Sequence, residues 1–189
     1  HNLQLPTKMK KTTTLEMNRH SIDSYKSTPK IPLVVILDNV RSLHNVGAIF
    51  RTSDAFLIEK IYLCGITSTP PHAEIHKTAL GAEFSVDWSY EEETTTLVEQ
   101  LKADNYTIMA LEQVHGSISM ENIQLDPNRK YALILGNEVK GVQQCVVDLC
   151  DLCIEIPQYG TKHSLNVSVS GGIAIYQCAT QPIKNTQQQ

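Results

Sequence analysis

Ile154-Glu155-Ile156-Pro157-Gln158-Tyr159-Gly160 leads, four residues later, into Ser164-Leu165-Asn166-Val167-Ser168-Val169-Ser170-Gly171-Gly172. A β-branched run ending in Ile156-Pro157 reads as a strand reaching the edge of a sheet. A Gly-containing loop follows, then a segment that opens with Ser164 and is dense in small residues. Serine ahead of an apolar run is a helix N-cap signal, and small side chains let a second backbone come close. Backbone groups left free by the loop and the helix start form a polar rim, the usual setting of a ligand site at the carboxyl end of a parallel sheet.

Working outward, the same strand-then-helix alternation recurs. Leu33-Val34-Val35-Ile36-Leu37-Asp38 is a continuous apolar run of strand length, the mark of a strand covered on both faces. Further strands are expected over 60–65, 83–88, 106–111, 131–135 and 152–156. Helices are expected over 46–57, 73–80, 90–104, 142–149 and 164–180. Residues 1–30 are polar and read as an arm with at most a short helix near 22–26. Residues 31–182 form one domain, and the Gln-rich end, 183–189, reads as disordered. The pattern predicts an α/β fold with a mostly parallel sheet and helices on both faces.

A net charge of −4 excludes a surface coated in basic residues. A local patch stays open, built from Lys26, Lys30, Arg41, Arg51, Lys77, Lys140 and Lys162. No apolar run spans a bilayer and no leader is visible, so the expected compartment is the cytoplasm, with no membrane partner. Cys150-Asp151-Leu152-Cys153 has the form C-x-x-C but lacks a second pair, so no metal site is expected. The five cysteines read as buried thiols. Gly136 to Gly141 is followed by Val142-Gln143 rather than Lys-Ser/Thr, which argues against a phosphate-binding P-loop. Asp38-Asn39-Val40-Arg41 is not the glycine-rich turn of a Rossmann sheet.

Three segments carry a resemblance. Asn45-Val46-Gly47-Ala48-Ile49-Phe50-Arg51, Leu135-Gly136-Asn137-Glu138-Val139-Lys140-Gly141 and the Ser164–Gly172 stretch stand in order along the chain. They resemble the three signatures of the SpoU/TrmH group of SPOUT RNA 2′-O-ribose methyltransferases. The resemblance implies a C-terminal trefoil knot, an exception to the rule that chains do not thread loops. It also implies S-adenosylmethionine bent into the loops after residues 111, 135 and 156, and a homodimer packed across the knot. The implied substrate is the ribose 2′-hydroxyl of tRNA or rRNA. Lack of room for a separate N-terminal RNA-binding domain leans toward tRNA.

Site residues carried over from the motifs have competing plain readings. Arg51 is a surface arginine or the catalytic one; guanidinium is not normally deprotonated, so its expected work is to clamp phosphate. Asn45 either caps the first helix or enters the active site. Glu138 is a solvated turn residue or an organiser that ties down Asn45 or Arg51. Ser164 and Asn166 cap the last helix or line the substrate cleft. Leu111, Gly136, Asn137, Ile156, Pro157, Gln158 and Leu165 are the expected cofactor-binding residues, the apolar ones enclosing adenine. His44 is a candidate RNA contact. Gly171-Gly172 inside a helix costs roughly 1 kcal/mol per glycine relative to alanine, which close helix packing offsets. A catalytically silent RNA-binding relative is the alternative function.

Overall fold

The computed structural model describes residues 8–181 of the 189-residue chain, so the expectations for residues 1–7 and 183–189 lie outside the described residues. The N-terminal segment carries α1 (Ile22–Ser27), capped by the Ser21 hydroxyl, which accepts from the Ser24 amide. This helix is fastened to the body by Tyr25, which is buried in the main core.

Among the described residues, seven parallel strands form one sheet. They are β1 (Ile31–Asp38), β2 (Ile58–Cys64), β3 (Trp88–Glu91), β4 (Tyr106–Leu111), β5 (Ile118–Ser119), β6 (Lys130–Gly136) and β7 (Leu152–Glu155). Their order across the sheet is β3-β2-β1-β6-β4-β7-β5. The chain lays down β1, β2 and β3 in one direction, then crosses to β4. The later β6 enters between β1 and β4, and β7 between β4 and β5. These late insertions fall in the half of the sheet to which the implied knot belongs.

The central strands are apolar through their middles because both faces are covered. Leu33, Val35 and Leu37 of β1, with Leu133 and Leu135 of β6, face one core, together with Ile49 and Phe50 of α2 (Leu43–Ala55) and Ala174, Ile175 and Cys178 of α7 (Val167–Ala179). Val34, Ile36, Ala132 and Ile134 face the other, with Leu97, Val98 and Leu101 of α5 (Thr94–Ala103). Asp38 aligns with Gly136, and Leu111 with Ile154, so the strands end in step and present their loops on one edge.

Several expected boundaries moved. The strand expected over 83–88 is instead the short helix α4 (Ala82–Ser85), and β3 starts only at Trp88. Glu83 is the reason: its carboxylate takes the Gly81 amide and the His76 ring, folding the chain against α3 (Ala73–Ala79). The helix expected from residue 90 begins at Thr94, because Tyr90 and Glu91 pair with Leu63 and Cys64. The helix expected over 142–149 contracts to α6 (Gln144–Val147). The terminal helix starts at Val167, capped by Asn166 rather than Ser164, and α2 starts at Leu43, capped by Ser42. The two-residue β5 was not expected, being too short to show a period. Cys145 is exposed and Cys150 only partly buried, against the expectation of buried thiols. Burial pushes the thiols of Cys64, Cys150 and Cys178 up to about 12, which leaves them unreactive at neutral pH.

The motif glycines are explained by contacts within the chain. A Cβ on Gly47 would sit 2.1 Å from Thr78 Oγ1 and 2.2 Å from the Ile75 carbonyl oxygen, so α2 and α3 cross only because this residue is glycine. Gly171 likewise presses α7 onto Ile49 and Leu135, whereas a Cβ on Gly172 would meet nothing within 4 Å. Gly47→Ala should therefore lower stability by about 1–3 kcal/mol, and Gly172→Ala should raise it by up to about 1 kcal/mol. Urea unfolding midpoints of the two variants check the contrast.

Candidate active site

The loop after β6 is folded by Asn137. Its backbone exchanges hydrogen bonds with Gly141 (3.0 and 2.9 Å), and its Oδ1 accepts from the amides of Val139 (2.9 Å) and Lys140 (3.0 Å). Its Nδ2 donates to the Asn39 carbonyl (2.9 Å), tying the loop to the end of β1. A Cβ on Gly136 would fall 2.2 Å from Gly141 C and Val142 N, so glycine there lets the loop fold back on its own strand.

Two acids at strand ends hold the far side of this loop. Asp38, fully buried at the end of β1, accepts from Gln143 N (3.1 Å), Gln143 Nε2 (2.8 Å) and Thr94 Oγ1 (2.7 Å). Glu112, immediately after β4, accepts from the Val142 amide (2.9 Å). Neither was singled out in the sequence. The available signal was position: each acid closes an apolar strand run, where a side chain reaches the loops on the carboxyl edge.

Glu138 points from the same loop to the start of α2. Its carboxylate accepts from the amides of Arg41 (2.9 Å) and Ser42 (2.9 Å) and from Asn45 Nδ2 (3.1 Å). Asn45 is buried in the first turn of α2 and does not cap it. Its Oδ1 accepts from Asn166 Nδ2 (3.3 Å). Asn166 Oδ1 in turn accepts from Ser168 N (2.9 Å) and Val169 N (3.3 Å), capping α7. A continuous chain of hydrogen bonds, Glu138 to Asn45 to Asn166, thus joins all three motifs. Partial burial pushes the Glu138 carboxyl upward, and the Ser42 and Arg41 amides more than reverse this, holding it below the usual glutamate range.

Beside this chain lies a cleft of about 210 Å³ on the carboxyl edge. Leu111, Ile156 and Leu165 form apolar walls, and Gly136, Asn137, Glu138, Gln158 and Ser164 complete the lining from the expected set. Pro157, Asn45 and Asn166 are not in the lining. Glu112, Lys140 and His163 are lining residues outside the expected cofactor-binding set, Lys140 having been read only as part of a basic patch and of the second motif. Among the described residues no cluster of His, Cys, Asp and Glu is arranged to hold a metal.

Arg51 is elsewhere. Six residues on a helix amount to about 9 Å along the axis and roughly 120° around it, so Arg51 leaves α2 on a different side from Asn45. It is exposed and lines a second cleft with Arg19, His20 and Asp54. Glu138 therefore ties down Asn45 and not Arg51. His44 is also exposed and meets Glu74 across 2.8 Å.

The chain belongs to the SpoU rRNA methylase family, whose model matches residues 32–176. It is 29% identical to the 23S rRNA (guanosine-2′-O-)-methyltransferase RlmB of Nitrosomonas europaea over 95% of this chain and 66% of that protein. It is 33% identical to the tRNA (guanosine(18)-2′-O)-methyltransferase of Aquifex aeolicus over 79% of this chain and 69% of that one. The chain spans just under two thirds of the RlmB proteins of Nitrosomonas europaea (66%) and Neisseria meningitidis (64%). Its fold superposes on the A. aeolicus TrmH/SpoU tRNA-modifying enzyme with a TM-score of 0.75 and 28% identity, over 86% of this chain and 81% of the other. A second match is the AdoMet-bound rRNA methyltransferase of Sinorhizobium meliloti, with a TM-score of 0.71 and 27% identity over 84% and 60%.

The depressed pKa of Glu138 makes a linked prediction. A carboxyl whose folded pKa lies below its ordinary 4.5 contributes stability that is complete above that value and lost as pH falls through the folded pKa. Glu138→Gln should lower stability at pH 7 by roughly 1 kcal/mol, a figure kept small because the group is only partly buried. It should also flatten the fall in stability below pH 4.5. Urea titrations of both proteins between pH 3 and 7 check the two slopes.

Proposed function

We propose that the chain carries the methyl-transfer domain of an S-adenosylmethionine-dependent RNA ribose 2′-O-methyltransferase. The observation that supports this most is the Glu138–Asn45–Asn166 chain, which assembles three remote motifs beside one cleft. The cleft suits a nucleoside: Leu111, Ile156 and Leu165 offer apolar walls, with Leu165 still 37% exposed, and loop amides and carbonyls offer a polar rim. When bound, the cofactor supplies an electrophilic methyl group on sulfur. The chain's own work is orientation and electrostatics. Glu138 and Asn166 hold Asn45 in one rotamer at the cleft's edge, and the Ser164 hydroxyl offers a hydrogen bond at its mouth.

Arg51 clamps RNA phosphate with its planar fork and stabilises the charge that develops as the 2′-hydroxyl loses its proton. Standing outside the cleft of its own chain, it meets the reaction in a homodimer packed through α7. The outward face of that helix carries Val169 (52% exposed), Ile173 (42%) and Tyr176 (55%) at helical spacing. Tyr176 also packs edge-on against Phe56, which follows α2, at 5.5 Å between ring centres. That contact sets the open face beside the end of the helix that bears Arg51. The substrate is RNA, with tRNA taken ahead of rRNA, and the compartment is the cytoplasm. Among the described residues no helix is long and apolar enough to cross a membrane.

Calorimetry should give an S-adenosylmethionine affinity on the order of −5 to −8 kcal/mol. Arg51→Ala should leave that affinity nearly unchanged while single-turnover methylation of unfractionated tRNA falls by about a hundredfold or more. Arg51→Lys should recover little. Light scattering at tens of micromolar should give the mass of a dimer, and Ile173→Glu should give a monomer. Near wild-type turnover by Arg51→Ala would remove that residue from the mechanism, and absence of cofactor heat would contradict the reading as a whole.

A further inference from the structure

A second cleft, of about 740 Å³, opens between the N-terminal segment and helices α2 to α4. Arg19 and His20 stand on its N-terminal wall, and Arg51 and Asp54 on the wall formed by α2. Neither arginine has a hydrogen-bond or ion-pair partner among the described residues. His20 is steadied by the contact of its Nδ1 with Ser24 Oγ at 2.6 Å, which leaves Nε2 without a partner among those residues. Asp54 is the cleft's carboxylate, and its Oδ2 accepts from Ser85 Oγ. Two guanidinium groups therefore face one partly occupied carboxylate, a local excess of positive charge in a chain of net charge −4.

The floor adds an independent observation. Tyr25 is only 4% exposed and lines this cleft, and its hydroxyl is buried without a hydrogen-bond partner. Buried polar groups in folded proteins nearly always have a partner, so the orphan Tyr25 hydroxyl beneath this cleft is a donor with hydrogen-bonding capacity to spare. Paired guanidinium forks and a hydroxyl donor are the groups that recognise a phosphodiester.

We propose that the N-terminal segment belongs to the RNA-binding surface, with Arg19 and His20 holding an RNA phosphodiester in the cleft they share with Arg51. The inference rests on the reading of the chain as an RNA methyltransferase and extends it, assigning a substrate-positioning role to residues ahead of the first motif. Arg51 then grips phosphate from one side and the N-terminal segment from the other. This gives α1 a reason to be docked on the body through Tyr25.

The test is anisotropy of the full chain with fluorescein-labelled, unfractionated tRNA between 50 and 300 mM salt. Arg19→Ala should weaken binding by roughly tenfold and reduce the slope of log K against log salt by about one. Arg19→Lys should keep the slope, because the charge remains, and recover only part of the affinity. Tyr25→Phe should weaken binding without changing the slope. Thermal melts and cofactor calorimetry should match the wild type for Arg19→Ala. If Arg19→Ala and His20→Ala bind with wild-type affinity and slope while the wild type methylates RNA, this inference is overturned and the enzymatic reading stands. If the wild type methylates neither tRNA nor rRNA, the enzymatic reading fails, and the Arg19→Ala slope still decides whether RNA occupies the cleft.

Discussion

One carboxylate sits where three stretches of chain must meet. Glu138 leaves the loop after β6, takes the amides of Arg41 and Ser42, and fixes the side chain of Asn45, which in turn accepts from Asn166. Those contacts bridge more than ninety residues of sequence. They are possible because β1 and β6 are adjacent and end in register, with Asp38 opposite Gly136. A slip of one residue would exchange the side chains that these strands send to the two cores and would take Asp38 out of line with Gly136. The site's geometry is therefore a consequence of sheet register, and the hydrogen bonds record it.

Around that carboxylate, much of what looks like ligand chemistry is fold chemistry. Asp38 and Glu112 hold the far side of the 136–143 loop by the Gln143 and Val142 amides, and Asn137 closes the loop on itself. Gly136 and Gly47 permit backbone approaches that a single Cβ would forbid. What remains for a ligand is the space so enclosed, with Leu111, Ile156 and Leu165 on its walls. A motif residue can thus be indispensable to the site without touching anything bound there.

The apolar runs of β1, β4 and β6 were legible as buried strands, being four or five residues long and bounded by polar residues, proline or glycine. The three motifs made the cleft's loops legible by resemblance. The strand expected over 83–88 failed because Glu83, His76 and Gly81 form a local turn that overrides an alternating pattern. Helix starts shifted by three residues where Ser42 and Asn166, both able to cap, competed with neighbours of similar chemistry. Arg51's place on a different side of α2 from Asn45 follows from helical geometry once the helix start is known, and that start was misplaced. The second cleft was invisible, because it joins a polar segment without periodicity to helices that lie far along the chain.

The proposed transfer of a methyl group to ribose rests on the interlocked motifs and the cleft beside them. The most direct measurement is nucleoside mass spectrometry of RNA incubated with the protein and methyl-labelled S-adenosylmethionine, after complete digestion. The account predicts the label on the ribose of 2′-O-methylated nucleosides, retained after the base is removed. Label on a base, or none in either tRNA or rRNA, would contradict it.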